Sequence, residues 1–118
     1  MPALKTIDFD TAALQRQAVI VAGMLRALAN EHRLMILCNL VECGEANVTA
    51  LADAVGLSQS ALSQHLAKMR DEKIVAFRRE AQTLWYRIAD PRIEELFATL
   101  HRLYCRPEGK PNKKGSRL

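Results

Sequence analysis

No stretch of this sequence is long and apolar enough to cross a membrane. The longest uncharged apolar run, residues 18–25, falls far short of the roughly 20 residues a bilayer requires. No charged-then-apolar leader with a cleavage site opens the chain, so a cytoplasmic location without membrane contact is expected. Cysteine is scarce: Cys38, Cys43 and Cys105 form an odd, sparse set, which excludes a secreted disulfide scaffold. Internal repeats are missing. The body, residues 1–105, has no excess charge of either sign, with twelve basic and twelve acidic residues. Between positions 58 and 70 there is no acidic residue at all.

What is present points to one ordinary domain. The 118 residues suffice for a single modest core. Apolar residues make up 49% and charged residues 25%, the profile of a globular protein. The net charge of +4 sits entirely in residues 106–118, "RPEGKPNKKGSRL", where five basic residues face one acid. That basic tail is expected to be disordered, leaving residues 1–105 as the folded domain. Within the domain, segment 58–88 carries Lys68, Arg70, Lys73, Arg78, Arg79 and Arg87 against Asp71, Glu72 and Glu80. A neutral body with a basic segment and a basic tail fits a polyanionic partner.

Periodicity and capping residues divide the chain. Asp10 caps a helix over 11–29, along which Leu14, Ala18, Val21, Leu25 and Leu28 recur in a coiled-coil-like stripe. Asn30 caps a second helix to about position 42, which Gly44 closes. Asn47 caps the short helix "VTALADAVG", ended by Gly56, and Ser58 caps a fourth to about position 71. Residues 73–88 then alternate, with Val75 and Phe77 on one arm and Leu84, Tyr86 and Ile88 on the other. That is the pattern of a β-hairpin with 80–82 at its tip. Asp90 and Pro91 start a last helix, whose Ile93, Leu96, Phe97, Leu100, Leu103 and Tyr104 form one apolar face. The order predicts a mainly α winged helix-turn-helix with a β-hairpin wing. The third and fourth helices are too short to stand alone and need each other's apolar faces.

The fourth helix, "SQSALSQHLAKMR", has an unusual polar side. Leu62, Leu66 and Met69 cluster in one sector, with Ser58 and His65 at its margin. Gln59, Ser60, Ser63, Gln64 and Ala67 occupy the rest. A merely solvated face would carry Glu, Lys and Arg at helix-supporting spacing rather than Ser, a mediocre helix former. Short hydroxyls and amides without acidic neighbours instead suit base edges in a DNA major groove, where Gln pairs bidentately with adenine. The residues expected to meet DNA on this helix are Gln59, Ser60, Ser63, Gln64, His65 and Lys68. On the hairpin, Arg78, Arg79 and Gln82 are expected to hold phosphates or enter a minor groove. Trp85 is read as sheet packing.

The segments "LRALANEHRLMILCNL", "LADAVGLSQSALSQHLAKMR" and "REAQTLWYRI" resemble the ArsR/SmtB family of winged-helix repressors over about residues 14–105. The resemblance implies a homodimer built from the first and last helices, bound to a near-palindromic operator and released by an inducer. Many such proteins sense metals, but the familiar ligand patterns are absent. Around "NVTALAD" there is no cysteine, and "PRIEELFATLHRLYC" offers His101 without an Asp-x-His pair. No metal or other cofactor is therefore expected.

Cys38 and Cys105 instead resemble the pair of the sulfide- and persulfide-responsive BigR/HlyU subgroup, joined by a disulfide or sulfur-bridged link when sulfane sulfur or an oxidant arrives. Cys43 has no counterpart in that pattern. Taken alone, a helical Cys38 flanked by Leu37 and Leu40 also reads as a small core residue. A metal-responsive repressor using Cys38, Cys105 and His101 and a constitutive DNA-binding dimer with inert thiols remain alternatives. An enzyme is not expected, since no oriented Cys-His-carboxylate set stands out.

Overall fold

Five short polar side chains start the helices of the computed structural model, which describes residues 9–105. Asp10 accepts the Ala13 amide at 3.0 Å, opening α1 (Thr11–Leu28). Asn30 accepts those of His32 and Arg33 at 2.9 and 3.1 Å, opening α2 (Glu31–Cys43). Asn47 opens α3 (Val48–Val55), Ser58 opens α4 (Gln59–Asp71) and Asp90 opens α5 (Pro91–Tyr104) in the same way. Each cap satisfies an amide that the helix itself leaves unpaired, worth about 1 kcal/mol. The expected helices are all present, their ends within a residue of those the sequence predicts.

Between α3 and α4 the chain turns at Gly56, whose φ of 72° is the left-handed conformation that only glycine adopts without strain. The Gly56 and Leu57 amides both donate to the Ala52 carbonyl, at 2.9 and 3.1 Å. This closes α3 and aims the chain into α4.

The hairpin is formed by β2 (Val75–Glu80) and β3 (Thr83–Ile88), with Phe77 opposite Tyr86 and Glu80 opposite Thr83. Glu80 thus belongs to the strand rather than the tip, and the turn is Ala81–Gln82, with Ala81 at φ 56°. A further strand was not expected. The two-residue β1 (Ala46–Asn47) pairs antiparallel with β3, giving the sheet order β1-β3-β2. Two residues carry no readable alternation, and Asn47 is also the α3 cap.

The core lies where α2, α4 and the sheet converge. Ile36, Leu37, Leu62, Leu66 and Met69 are fully buried, each worth roughly 1.5–3 kcal/mol of apolar burial. The last helix divides what the sequence presented as one face. Ile93 and Phe97 enter the core, whereas Leu103 and Tyr104 stand 64% and 81% exposed. In α1 only Ala27 and Leu28 are buried; Leu14, Val19, Ile20 and Leu25 all face outward. Among the described residues no helix is long and apolar enough to cross a membrane. The architecture is a mainly helical winged helix-turn-helix, as the element order predicts. The basic tail expected at 106–118 lies outside the described residues.

Candidate nucleic-acid interface and thiol pair

Helix α4 is held by its buried side. Leu62, Leu66 and Met69 recur at helical spacing and are fully covered, so the opposite face must point outward. That face presents Ser60, Ser63 and Gln64, all exposed. Gln59, in the first turn, donates from Nε2 to Thr49 Oγ1 of α3 at 3.2 Å, bridging the two helices of the helix-turn-helix. Lys68 is further along, on the side that meets α1 and Arg33 around an open cleft.

His65 is placed differently from the expectation that it meets DNA. Its ring is half-buried, and its Nδ1 accepts from Arg33 Nε of α2 at 3.1 Å. Burial first, then the positive charge of Arg33 and of His32, hold its pKa below the ordinary 6.5. The neutral ring therefore keeps its proton on Nε2. Helical position put His65 at the margin of the apolar sector, and Arg33 draws it inward. The sequence offered no signal for this partner, 32 residues away.

The wing also departs from expectation. Arg78 is half exposed, and all three guanidinium nitrogens are engaged by carboxylates. Its Nε and Nη2 donate to the two carboxylate oxygens of Glu45 at 2.9 and 3.0 Å, and Nη1 donates to Glu80 at 3.0 Å. Its guanidinium also lies 5.8 Å from the centre of the Trp85 ring, within cation–π range. The two carboxylates push the Arg78 pKa up, and Arg78 in turn holds the Glu45 carboxyl below its usual value. Arg78 is thus not a free phosphate-binding cation. The neighbouring Arg79 projects from the opposite face of the strand, exposed, and forms no ion pair among the described residues. Gln82 is exposed in the turn. Arg70, which the sequence did not mark as a DNA-binding residue, lies 5.3 Å from the centre of the Phe77 ring, tying α4 to the wing.

The three cysteines are free thiols. Cys38, half-buried on α2, packs against the core. Burial first, then the charges of Cys105 and Glu42, push its pKa up. Cys105 closes α5 and is exposed; Cys43 ends α2 and is exposed too. His101 sits on the last turn of α5. Among the described residues no group of three His, Cys, Asp or Glu side chains is arranged to hold a metal ion.

Residues 30–76 match the model of the arsR family of bacterial regulatory proteins. The chain is 41% identical over 105 residues to the transcriptional activator HlyU of Vibrio cholerae, covering 89% of this chain and 96% of that protein. The reduced HlyU structure superposes with a TM-score of 0.73 at 42% identity, covering 79% of this chain and 97% of HlyU. The transcriptional repressor BigR from Xylella fastidiosa gives a TM-score of 0.77 at 33% identity, with 82% and 98% coverage. AntR, described as an antimony-specific transcriptional repressor, gives 0.75 at 32% identity, with 93% and 96% coverage. An outward polar helix on a helix-turn-helix, a wing beside it and relatives matched over nearly their whole length lead to one conclusion: this chain belongs to the ArsR family of bacterial regulatory proteins, transcriptional regulators rather than enzymes.

Proposed function

We propose that this chain is a homodimeric repressor that binds double-stranded operator DNA through α4 and the wing, and that linking Cys38 to Cys105 releases it. The observation that carries the switch is the packing of α2, which bears Cys38, against α5, which Cys105 closes, although 67 positions separate the two thiols. The apolar side chains exposed on α1 and at the end of α5, among them Leu14, Leu25, Leu103 and Tyr104, support the dimer, because a second copy would remove that apolar surface from water. The acid-free outward face of α4 supports direct reading of bases.

The chemistry balances with a persulfide as co-reactant. Cys105, exposed at its helix end, attacks the sulfane sulfur and becomes Cys–S–SH, and the donor leaves as a thiol. The Cys38 thiolate then attacks the inner sulfur of that persulfide. A disulfide forms and hydrogen sulfide leaves, so two thiols are oxidised while one sulfane sulfur is reduced. The link switches DNA binding only if it fits one dimer geometry better than the other.

Peptide mass spectrometry after persulfide treatment tests this reading. A cross-link between the Cys38 and Cys105 peptides is expected, with DNA affinity falling at least about tenfold, a difference of about 1.4 kcal/mol. Cys38→Ser and Cys105→Ser are expected to bind DNA and ignore the inducer, while Cys43→Ser responds normally. A deaf Cys43→Ser variant refutes the pairing, and three responsive variants make the thiols inert. The name of HlyU, an activator, makes the sign of regulation a separate measurement, by transcription in vitro.

A second reading draws on the likeness to AntR. A thiophilic ion would bridge Cys38 and Cys105, with solvent or a small thiol completing its coordination, since no third protein donor is arranged with them among the described residues. Stoichiometric ion binding with loss of DNA affinity, abolished by either serine variant, favours it over the sulfur link.

A further inference from the structure

We propose that Glu45 is a specificity-determining residue that holds Arg78 back from the DNA backbone and so suppresses binding to random sequence. The proposal rests on the DNA-binding reading above and concerns a residue outside both α4 and the wing hairpin. Arg78 lies on β2 directly opposite Trp85 of β3, and Trp85 pairs on its other side with Asn47 of β1. The guanidinium therefore lies across β3, over the Trp85 ring, and reaches Glu45, the residue just before β1. The short strand β1 brings the carboxylate there.

Two-pronged contact with Glu45 and a third hydrogen bond to Glu80 fix the direction of the guanidinium. Exposed ion pairs contribute little to stability, so the fold does not require this arrangement. Its larger effect is on charge. Arg78, Glu45 and Glu80 together carry a formal charge of –1, on the part of the wing where a free arginine would have attracted phosphate. For Arg78 to reach a phosphate, the carboxylate must first be displaced. Random DNA offers only the phosphate in exchange and gains little. A cognate site adds the base contacts of α4, which can drive the exchange. A repulsive element against the wrong partner is how specificity exceeds what attraction alone supplies.

The experiment titrates full-length parent, Glu45→Gln, Arg78→Gln and the double variant with a random-sequence duplex and with an operator recovered by selection, over a range of salt. Glu45→Gln is expected to bind the random duplex at least about fivefold tighter, with the salt slope steeper by about one unit, as one added phosphate contact requires. Its operator affinity is expected to rise less, so discrimination falls. On the Arg78→Gln background the same change is expected to have no effect. Weaker or unchanged random binding by Glu45→Gln overturns the proposal, because Glu45 would then orient Arg78 for DNA or leave it indifferent. A gain that persists without Arg78 also overturns it, as a general charge effect. A folded parent that binds neither duplex even at low salt overturns the DNA-binding reading itself.

Discussion

Arg33 connects the end of α1 to the reading helix through His65. Its Nε donates to His65 Nδ1 at 3.1 Å, and its Nη1 donates to the Ala27 carbonyl near the end of α1, also at 3.1 Å. The pair thus ties three helices together at one partly buried point. His32 stacks beside it at a tilt, with ring centres 5.9 Å apart.

The burial of His65, and then the charge of Arg33 beside it, make stability depend on pH. His65 has a lowered pKa in the folded chain, so as pH falls the unfolded chain takes up the proton first. The stability from neutral His65 is complete above its ordinary 6.5 and is lost as pH drops through the lower folded value. Thermal melts between neutral and mildly acidic pH are expected to show a falling midpoint, with a smaller fall for His65→Gln. His65→Ala, which leaves Arg33 without this acceptor, is expected to cost about 1–2 kcal/mol at neutral pH. Identical pH profiles for parent and His65→Gln would remove His65 as the titrating group.

Leu62 supports the reading face from beneath, fully buried. Leu62→Ala is expected to destabilise the chain by about 2–5 kcal/mol through reduced burial and a cavity under α4. Chemical denaturation measures this directly.

Ser63, Gln64 and Arg79 separate base reading from phosphate holding. Ser63→Ala or Gln64→Ala is expected to weaken operator binding by about 1–3 kcal/mol where the side chain meets a base edge, with random DNA little affected. Arg79→Ala is expected to weaken operator and random duplex by similar factors and to reduce the salt slope by about one. Titrations on both duplexes distinguish the two classes. Unchanged operator binding by both α4 variants would refute the assignment of that face.

Leu25 and Leu103 are 50% and 64% exposed in the isolated chain, on the two helices proposed to form the dimer. A charge buried without a partner is strongly unfavourable. Leu25→Glu and Leu103→Glu are expected to shift sedimentation from dimer to monomer while leaving the helical content intact. A dimer that survives both substitutions would place the interface elsewhere.

The caps, the glycine stop and the hairpin alternation were legible because each is decided within a few residues. Asp10, Asn30, Asn47, Ser58 and Asp90 accept amides two or three positions ahead, and a φ of 72° selects glycine at position 56 whatever surrounds it. The buried trio Leu62, Leu66 and Met69 followed from helical spacing alone, and with it the outward direction of Ser63 and Gln64. Side chains whose partners come from distant segments were not legible. His65 turns to Arg33 and Arg78 to Glu45, 32 and 33 positions away, because the fold sets Arg33 of α2 beside α4 and a two-residue strand brings Glu45 level with the wing. Pattern likewise could not divide α5 between core and surface, since Phe97 and Leu103 are both apolar and only packing buries the first. Local chemistry determined where each element begins, ends and faces. Tertiary structure decided which polar groups stay free, because a charge or ring nitrogen is used up by whichever partner the fold brings within hydrogen-bonding distance.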